Sequence, residues 1–213
     1  MDFIDPLINQ YALDHTENES PLLNELNRQT HINILQPRML SGHLQGRILS
    51  VLSKSIKPKN ILEIGTYTGY SALCMAEGLS KDGNLYTIDI NEEIAPFAQE
   101  FFDKSQYKNQ ITMLIGNALN IIPELNENWD LVFIDADKEN YSNYYDAIIE
   151  NVNVGGMIIA DNVLWSGKVT NPTLKNDFET EALKKFNTKV QNDIRVSNTL
   201  MPVRDGMMVM IKN

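Results

Sequence analysis

The chain has 213 residues, of which 43% are hydrophobic, and it carries a formal net charge of −10. This length supports one sizeable core and at most a small second module. The acidic charge disfavours DNA, RNA and anionic membranes as partners, because such binding relies on Lys and Arg contacts to phosphate, although a local basic patch remains compatible with it. The single Cys74 excludes an internal disulfide and a CxxC metal knuckle, and we expect a buried, inert thiol. With no basic-plus-apolar leader and no apolar run near about 18 residues, we expect a soluble, cytoplasmic protein.

The N-terminal quarter of the chain is expected to be helical. Residues 1–57 lack strand signals and predict two or three helices that pack on a single domain, over its active site, rather than forming a domain of their own. One of these helices is "GHLQGRILSVLSKS". Its expected apolar face consists of Leu44, Ile48, Leu49, Val51 and Leu52.

From residue 59 onward, short β-branched runs alternate with helical periodicity. Strands are predicted at 60–65, 84–90, 110–116, 130–136 and 155–161. The segments between them predict helices at 71–79, within "INEEIAPFAQEFF", at 117–124 and from Tyr141 to Ile149. The helix in "INEEIAPFAQEFF" has one apolar face, formed by Ile94, Phe97, Ala98, Phe101 and Phe102. This alternation predicts right-handed βαβ units and an α/β fold with a parallel sheet that carries helices on both faces. Together with the C-terminal elements described next, this core is expected to span residues 58–213.

The C-terminal segment breaks this alternation. A helix after residue 175 is predicted to place Phe178, Leu183 and Phe186 on one face. "DIRVSNTLMPV" and "GMMVMIK" then flank "RDG", a turn-like break. We expect an antiparallel hairpin that closes one edge of the sheet.

The end of the first predicted strand has features of a nucleotide-type binding loop. In parallel sheets, ligands bind outside the carboxyl ends of the strands. In "EIGTYTGYS", Gly65 and Gly69 permit a tight turn, but the middle glycine of the GxGxxG fingerprint is missing. Glu63 would repel a pyrophosphate and suits a positively charged cofactor without phosphate, such as S-adenosylmethionine. Asp89, at the end of the second strand, has the spacing of an acid that binds ribose hydroxyls.

Two further strands end in oxygen donors. Asp135 follows "LVFI" and the pair Asp161–Asn162 follows "GGMIIA", at ends that we expect to be neighbours. This donor set favours Mg²⁺, or Ca²⁺ or Mn²⁺, over zinc. Such a cation would lower the pKa of a hydroxyl on a substrate with two adjacent hydroxyls. Lys138, one short turn beyond, is a candidate general base, whereas Asp137 is expected at a helix N-terminus.

Four motifs together resemble one known family. They are "LEIGTYTGYSAL", "IDADKENY", "GGMIIADNVLWSGKV" and "PVRDGMMV", and "RMLSGHLQGRIL" is similar to the family's helix before the first strand. The chain, over roughly residues 35–213, resembles the cation-dependent O-methyltransferases of the caffeoyl-CoA and catechol type. The resemblance implies a Rossmann-like methyltransferase fold of seven strands with the last antiparallel.

The resemblance also assigns roles to single residues. It implies that Glu63 contacts the methionine part of S-adenosylmethionine and that Asp89 contacts its ribose. It implies that Asp135, Asp161 and Asn162 bind the cation and that Lys138 is catalytic. The remaining residues that it assigns to cofactor binding are Gly65, Gly69, Ser71, Asn117, Ala118 and Asp135. Many relatives have Asp or Pro in place of Asn117.

The substrate is less constrained than the cofactor. By resemblance, Trp165 would form an aromatic wall of the substrate site, with a core tryptophan as the alternative, and Met39 either lines the opposite wall or packs in the core. No set of basic residues maps onto those that hold CoA phosphates in relatives acting on CoA esters. The expected substrate is therefore a small vicinal diphenol, such as a free catechol or caffeate. Relatives are commonly dimers, which implies a homodimer.

Four other functions fit parts of the sequence less well or leave the substrate open. A caffeoyl-CoA-type ester remains an alternative substrate, and some similar bacterial chains methylate a hydroxylated nucleoside in tRNA, against which the acidic charge argues. A non-catalytic protein that binds the adenosine ligand would have no use for the Asp135, Asp161 and Asn162 set. A dehydrogenase is disfavoured by the missing glycine and by Glu63.

Overall fold

The computed structural model describes residues 4–213, which form a seven-stranded sheet with the order β3-β2-β1-β4-β5-β7-β6. Its strands are β1 (Asn60–Ile64), β2 (Asn84–Asp89), β3 (Ile111–Ile115), β4 (Trp129–Ile134), β5 (Val152–Ala160), β6 (Val196–Met201) and β7 (Met207–Lys212). Strands β1 to β5 pair in parallel, and β7 runs antiparallel to both β5 and β6. The predicted fold class is confirmed, including the hairpin and the antiparallel last strand.

Eight α-helices accompany the sheet in the described part of the chain. They are α1 (Pro6–Asp14), α2 (Pro21–Asn33), α3 (Gly42–Ile56), α4 (Tyr70–Ala76), α5 (Ala95–Lys104), α6 (Ala118–Ile121), α7 (Tyr141–Ile148) and α8 (Phe178–Gln191). Helices α2 to α5 contribute to the apolar core on one face of the sheet, and α6 to α8 to the core on the other. Burial on both faces explains why the strands are continuous apolar runs.

The predicted strand ends differ from the observed ones where the site begins. Strands β4 and β5 end at Ile134 and Ala160, one residue before Asp135 and Asp161 respectively. Strand β5 starts at Val152, before the predicted 155, and α4 ends at Ala76 rather than at 79. The functional side chains therefore project from loops at the carboxyl edge rather than from the strands themselves.

Two predicted helix faces were partly wrong. Val51 is 61% exposed on α3, where the buried stripe runs instead through Gln45, Leu49 and Ser53. Phe178, the first residue of α8, is 64% exposed, whereas Leu183 and Phe186 are buried. A helix turns about 100° per residue, so Phe178 lies five residues and roughly 140° away from Leu183.

Cys74 is completely buried, and burial raises the pKa of its thiol to about 12, so that the thiol stays protonated as expected. Within residues 4–213, none of the helices combines the length and apolar character that crossing a bilayer requires.

Candidate active site

The site rests on backbone hydrogen bonds that continue beyond the strand ends. The Asp135 N–H donates to Ile64 O at 2.9 Å, which ties the end of β4 to β1. The Asp161 N–H donates to Ile134 O at 3.0 Å, which ties the end of β5 to β4. Asp135 and Asp161 therefore follow adjacent strands at one edge, as expected from the sequence.

The loop after β1 contains both predicted glycines in left-handed conformations. Gly65 has φ +105° and Gly69 has φ +86°. The Gly69 N–H donates to Thr66 O at 2.9 Å and closes the turn that precedes α4. A side chain on Gly69 would meet the Phe102 ring at 2.6 Å, so this turn is closely covered by α5.

Glu63 lies completely buried beneath that loop. Its two carboxyl oxygens accept hydrogen bonds from Ser71 Oγ and Thr87 Oγ1, both at 2.5 Å. Burial, with a further contribution from Asp135 and Asp89, raises the pKa of Glu63 to about 8 despite these hydrogen bonds. Glu63 is not among the cavity-lining residues, whereas its partner Ser71 is. The role of Glu63 toward a cofactor stays a prediction.

Asp89 and Asn117 shape the neighbouring end of β2 and β3. Asp89 Oδ2 accepts the Tyr67 N–H at 2.7 Å, so the Asp89 carboxylate anchors the loop after β1. Asn117 is the N-cap of α6, and its Oδ1 accepts the Leu119 N–H at 2.9 Å. Asp89, Asn117 and Ala118 all line the cavity described below.

Lys138 is held by three acceptors. Its Nζ donates to Asp135 Oδ1 at 3.0 Å, Ala136 O at 2.9 Å and Tyr141 Oη at 2.7 Å. Tyr141 Oη in turn donates to Asp161 O at 3.0 Å, so its one proton is committed there. These contacts hold the Lys138 side chain against Asp135. To act as a base, Lys138 must give up one of them.

Asp137 lies at the N-terminus of a helical turn, as expected from the sequence. It occupies the N-cap position of the short 3₁₀ turn Lys138–Asn140, but its side chain makes no capping hydrogen bond. Its carboxylate instead accepts hydrogen bonds from the side chains of Asn140 and Tyr144. Asp137 therefore has its expected position, where its carboxylate is held by side chains.

Asp161 contains an unpaired oxygen in a buried position. Asp161 is only 3% exposed. Its Oδ2 accepts hydrogen bonds from Gln45 Nε2 at 2.7 Å and from Asn162 Nδ2 at 3.2 Å. Asp161 Oδ1 has no hydrogen-bond partner among residues 4–213. A buried carboxylate oxygen without a partner is costly unless a donor or a cation meets it. Asp161 therefore fits a bound cation.

The Asp135 carboxyl group also has an environment that a cation would suit. Burial raises its pKa to about 7, with the Asp161 carboxylate adding to the increase and Lys138 opposing it. Two carboxylates held this close favour a shared cation, which would keep both ionised. In the described part of the chain, however, no three His, Cys, Asp or Glu side chains converge as a metal cluster. The candidate set has two carboxylates plus the Asn162 carboxamide, which suits a hard cation.

These residues open into one cavity of about 1850 Å³. Pockets for single small ligands are usually roughly 300–1,000 Å³, so this one has room for two molecules side by side. Helix α1 contributes to its wall through Pro6, Asn9, Gln10 and Leu13. The predicted residues that line the cavity are Met39, Gly65, Ser71, Asp89, Asn117, Ala118, Asp135, Lys138, Asp161, Asn162 and Trp165. Gly69 and Glu63 lie behind its wall.

Trp165 and Met39 are both cavity residues. Trp165 is partly buried, with Lys138 Nζ at 5.8 Å from its ring centroid. Met39 is 57% exposed and is not a core residue. Trp165 adopts φ +47°, an unusual conformation for a bulky residue, and the Ser166 N–H that follows it is held by Asp205 Oδ1 at 2.5 Å. This contact joins the Trp165 loop to the loop between β6 and β7.

Several cavity residues could not be recognised from the sequence motifs. Gln45 lies on the buried stripe of α3, and a polar residue at such a position was an available signal. Arg38 and Arg204 also line the cavity, and neither forms a salt bridge with any residue in 4–213. Arg204 has φ +52°, and its guanidinium lies within 3.4 Å of Leu40 O. No spacing rule brings position 204 to position 40.

Residues 13–213 match the family model described as O-methyltransferase. A caffeoyl-CoA O-methyltransferase from Stellaria longipes is 33% identical, covering 94% of this chain and 88% of that protein. A probable caffeoyl-CoA O-methyltransferase from Dictyostelium discoideum is 32% identical, covering 95% of this chain and 90% of that protein. The chain belongs to the O-methyltransferase family, which confirms the resemblance drawn from its motifs.

Solved structures agree with this assignment. An O-methyltransferase from Bacillus cereus, solved in complex with S-adenosylhomocysteine (SAH), aligns with a TM-score of 0.89 at 28% identity and covers 97% of both chains. An SAH-bound methyltransferase from Podospora anserina aligns with a TM-score of 0.88 at 27% identity over the whole of both chains.

Proposed function

We propose that this protein transfers a methyl group from S-adenosylmethionine to one oxygen of a small vicinal diphenol, with a divalent cation bound by Asp135, Asp161 and Asn162. The observation that carries the proposal is the unpaired, buried Asp161 Oδ1 in the same cavity as Asp135 and Lys138. The similarity to SAH-bound methyltransferases supports the cofactor. The diphenol and the cation rest on the residues themselves.

The cofactor would lie along the β1–β2–β3 side of the cavity. Asp89 and the Asn117–Ala118 pair line that side, and the Gly65 loop leads to it. S-adenosylmethionine supplies an electrophilic methyl group. Asp89 Oδ2 accepts the Tyr67 N–H and Oδ1 accepts the Asn91 N–H, and the remaining lone pairs of this cavity-lining carboxylate would accept hydrogen bonds from ribose hydroxyls.

The cation end of the cavity would orient the diphenol. A divalent cation, where bound, lowers the pKa of a phenol hydroxyl and favours its ionised form. The Asn162 side chain donates to Asp161 Oδ2, which leaves its amide oxygen as an acceptor-type ligand. Trp165 would stack on the aromatic ring. Lys138, whose Nζ lies 3.0 Å from Asp135 Oδ1, would either accept the phenol proton as a neutral amine or stabilise the phenolate as an ammonium ion. Positioning then contributes most of the acceleration.

The test is methyl transfer from labelled S-adenosylmethionine to 3,4-dihydroxybenzoate and caffeate, with Mg²⁺ and with EDTA. We expect turnover that EDTA abolishes and Mg²⁺ restores. Asp161→Asn should lose it, whereas Glu179→Gln, which changes another carboxylate at the same cavity, should retain it. Undiminished turnover in EDTA would contradict the cation. Absence of turnover with SAH still bound would contradict the diphenol and move the substrate search to a hydroxylated tRNA nucleoside.

A CoA ester is the second candidate. Arg38 and Arg204 line the cavity, and the relatives named above are caffeoyl-CoA O-methyltransferases. Two guanidinium groups at the cavity suit phosphate oxygens. Comparing kcat/KM for caffeoyl-CoA and free caffeate separates the candidates. If the ester is the substrate, Arg38→Met and Arg204→Met should lower kcat/KM for caffeoyl-CoA and leave that for caffeate unchanged.

A further inference from the structure

Gln45 on α3 reaches the end of β5 from outside the predicted site. The residue is 1% exposed, lines the cavity, and its Nε2 donates to Asp161 Oδ2 at 2.7 Å. The two residues are separated by 116 positions in the chain. This hydrogen bond is therefore a tertiary contact between the N-terminal helices and the acidic edge of the sheet.

The carboxylate fixes the orientation of the Gln45 amide. An ionised carboxylate only accepts hydrogen bonds, so the amide must present its NH₂ group to Asp161. Gln45 Oε1 then points elsewhere, and in the described part of the chain it is buried without a hydrogen-bond partner. Reversing the amide would bring two acceptors together and gain nothing.

Two buried acceptors without partners thus belong to one hydrogen-bonded pair. They are Gln45 Oε1 and Asp161 Oδ1. Each such group costs about 1–3 kcal/mol when nothing meets it, so an occupant of the cavity that binds either oxygen would stabilise the pair. The Gln45 N–H occupies one Asp161 oxygen and leaves the other for that occupant.

We propose that Gln45 is a positioning residue of the cation site: it holds Asp161 by Oδ2 so that Oδ1 is the oxygen offered to the cation. This inference rests on the proposed cation-dependent function. An apolar side chain at position 45 would release the Asp161 side chain to rotate, and a glutamate would place a second negative charge against it. Glutamine supplies the donor without a charge.

Ser53 provides a matched control on the same helix. It is also completely buried on α3, but its Oγ donates to Met75 O at 2.6 Å and it does not line the cavity. Ser53→Ala removes a buried hydrogen bond of α3 without touching Asp161. A general effect of weakening the helix should therefore appear in both variants, and an effect on the cation only in the Gln45 variants.

The experiment measures the Mn²⁺ affinity of the full chain, saturated with SAH, by isothermal titration calorimetry. Gln45→Met should weaken Mn²⁺ binding roughly 10- to 100-fold, as loss of a residue that orients a metal ligand typically does. Ser53→Ala should match the unmodified protein, and SAH affinity should be the same in all three. Because Asp161 is still present, excess Mn²⁺ should restore kcat in Gln45→Met.

Gln45→Asn is the second variant, because it keeps the amide but is one methylene too short to hold Asp161. Gln45→Asn should show the same loss of Mn²⁺ affinity, and it keeps the inference testable if Gln45→Met does not fold. If a folded Gln45 variant binds Mn²⁺ within twofold of the affinity of the unmodified protein, the role of Gln45 is overturned, but the proposed cation site is not. Failure of the unmodified protein to bind Mn²⁺ would instead overturn the cation in the proposed function, and the role of Gln45 with it.

Discussion

Gly65 and Asp135 are packed so closely that a side chain at position 65 would overlap the Asp135 backbone. A Cβ on Gly65 would lie 2.2 Å from Asp135 O, and Gly65 has φ +105°, which disfavours other residues independently of space. The end of β1 is thus pressed against the end of β4, where a ligand of the proposed cation begins. The missing side chain at position 65 determines where the Asp135 carboxylate sits.

Gly65→Ala should consequently damage both stability and the site. Backbone atoms cannot move aside as a flexible side chain does, so the Asp135 segment must shift. Gly155→Ala is the matched control, because Gly155 also has positive φ, +79°, but its Cβ would meet nothing within 4 Å. We expect Gly155→Ala to cost about 1–2 kcal/mol of unfolding free energy with activity retained. Gly65→Ala should cost more and abolish turnover. Equal effects in urea denaturation would contradict the role of the close contact.

Glu63 should make the stability of the ligand-free protein depend on pH. Its pKa is raised by burial to about 8, from an unfolded value near 4.5. The folded protein therefore holds a proton that the unfolded chain releases between these values. The stabilisation is fully present below about pH 4.5, declines as pH rises, and is lost above about pH 8. Stability should fall with pH across this window.

Glu63→Gln removes this titration while keeping a neutral side chain of similar shape. Urea denaturation at pH 5, 6.5 and 8 (roughly spanning the window) should show a smaller decline for the variant than for the unmodified protein. Asp135, whose pKa is also raised by burial, contributes a slope of the same sign that both proteins share. Parallel stability curves for the two proteins would show that Glu63 is ionised in the fold.

The sequence predicted the sheet and most of the site because both depend on local patterns. Apolar runs that end in Asp89, Asp135 and Asp161 mark strand ends, and parallel strands bring such ends to one edge. Gly65 could be identified for the same reason, since it follows the first run directly. These features need only the order of elements along the chain.

Contacts between distant segments could not be predicted in this way. Gln45 meets Asp161, and Arg204 meets Leu40, only because of how α3 and the β6–β7 loop pack. Glu63 was expected at the cofactor, a role that stays a prediction, but its hydrogen bond from Thr87 depends on the register of β1 with β2. Side-chain direction at a strand end depends on that register, which the sequence pattern does not resolve.

Lys138 is expected to be essential for the rate rather than for binding. Lys138→Met should lower kcat for a diphenol by about 10²- to 10⁴-fold, the usual contribution of a general acid or base. Lys168→Met is the control, because Lys168 Nζ also lies near the Trp165 ring, at 5.9 Å, but its side chain is 53% exposed. Single-turnover rates report the effect on the chemical step, and SAH affinity reports any effect on binding, so the two measurements together distinguish them.

Lys138→Arg separates the two roles open to Lys138. Arginine keeps the positive charge beside Asp135 but does not release its proton in proteins. If Lys138 is a base, Lys138→Arg should be as slow as Lys138→Met. A rate near that of the unmodified protein would show that Lys138 acts through its charge, in agreement with the three acceptors around its Nζ.

Trp165 should report directly on the substrate. Trp165→Ala removes the ring that we expect to stack on the diphenol, and loss of about 1.4 kcal/mol of aromatic contact raises KM roughly tenfold. The Trp165 Nε1–H is buried without a partner and should also change its environment when the cavity fills. Trp129, the second tryptophan, is 1% exposed against Tyr86 and serves as an internal reference. Adding 3,4-dihydroxybenzoate should therefore quench fluorescence in the unmodified protein and not in Trp165→Phe. Equal quenching in both would place the diphenol away from Trp165.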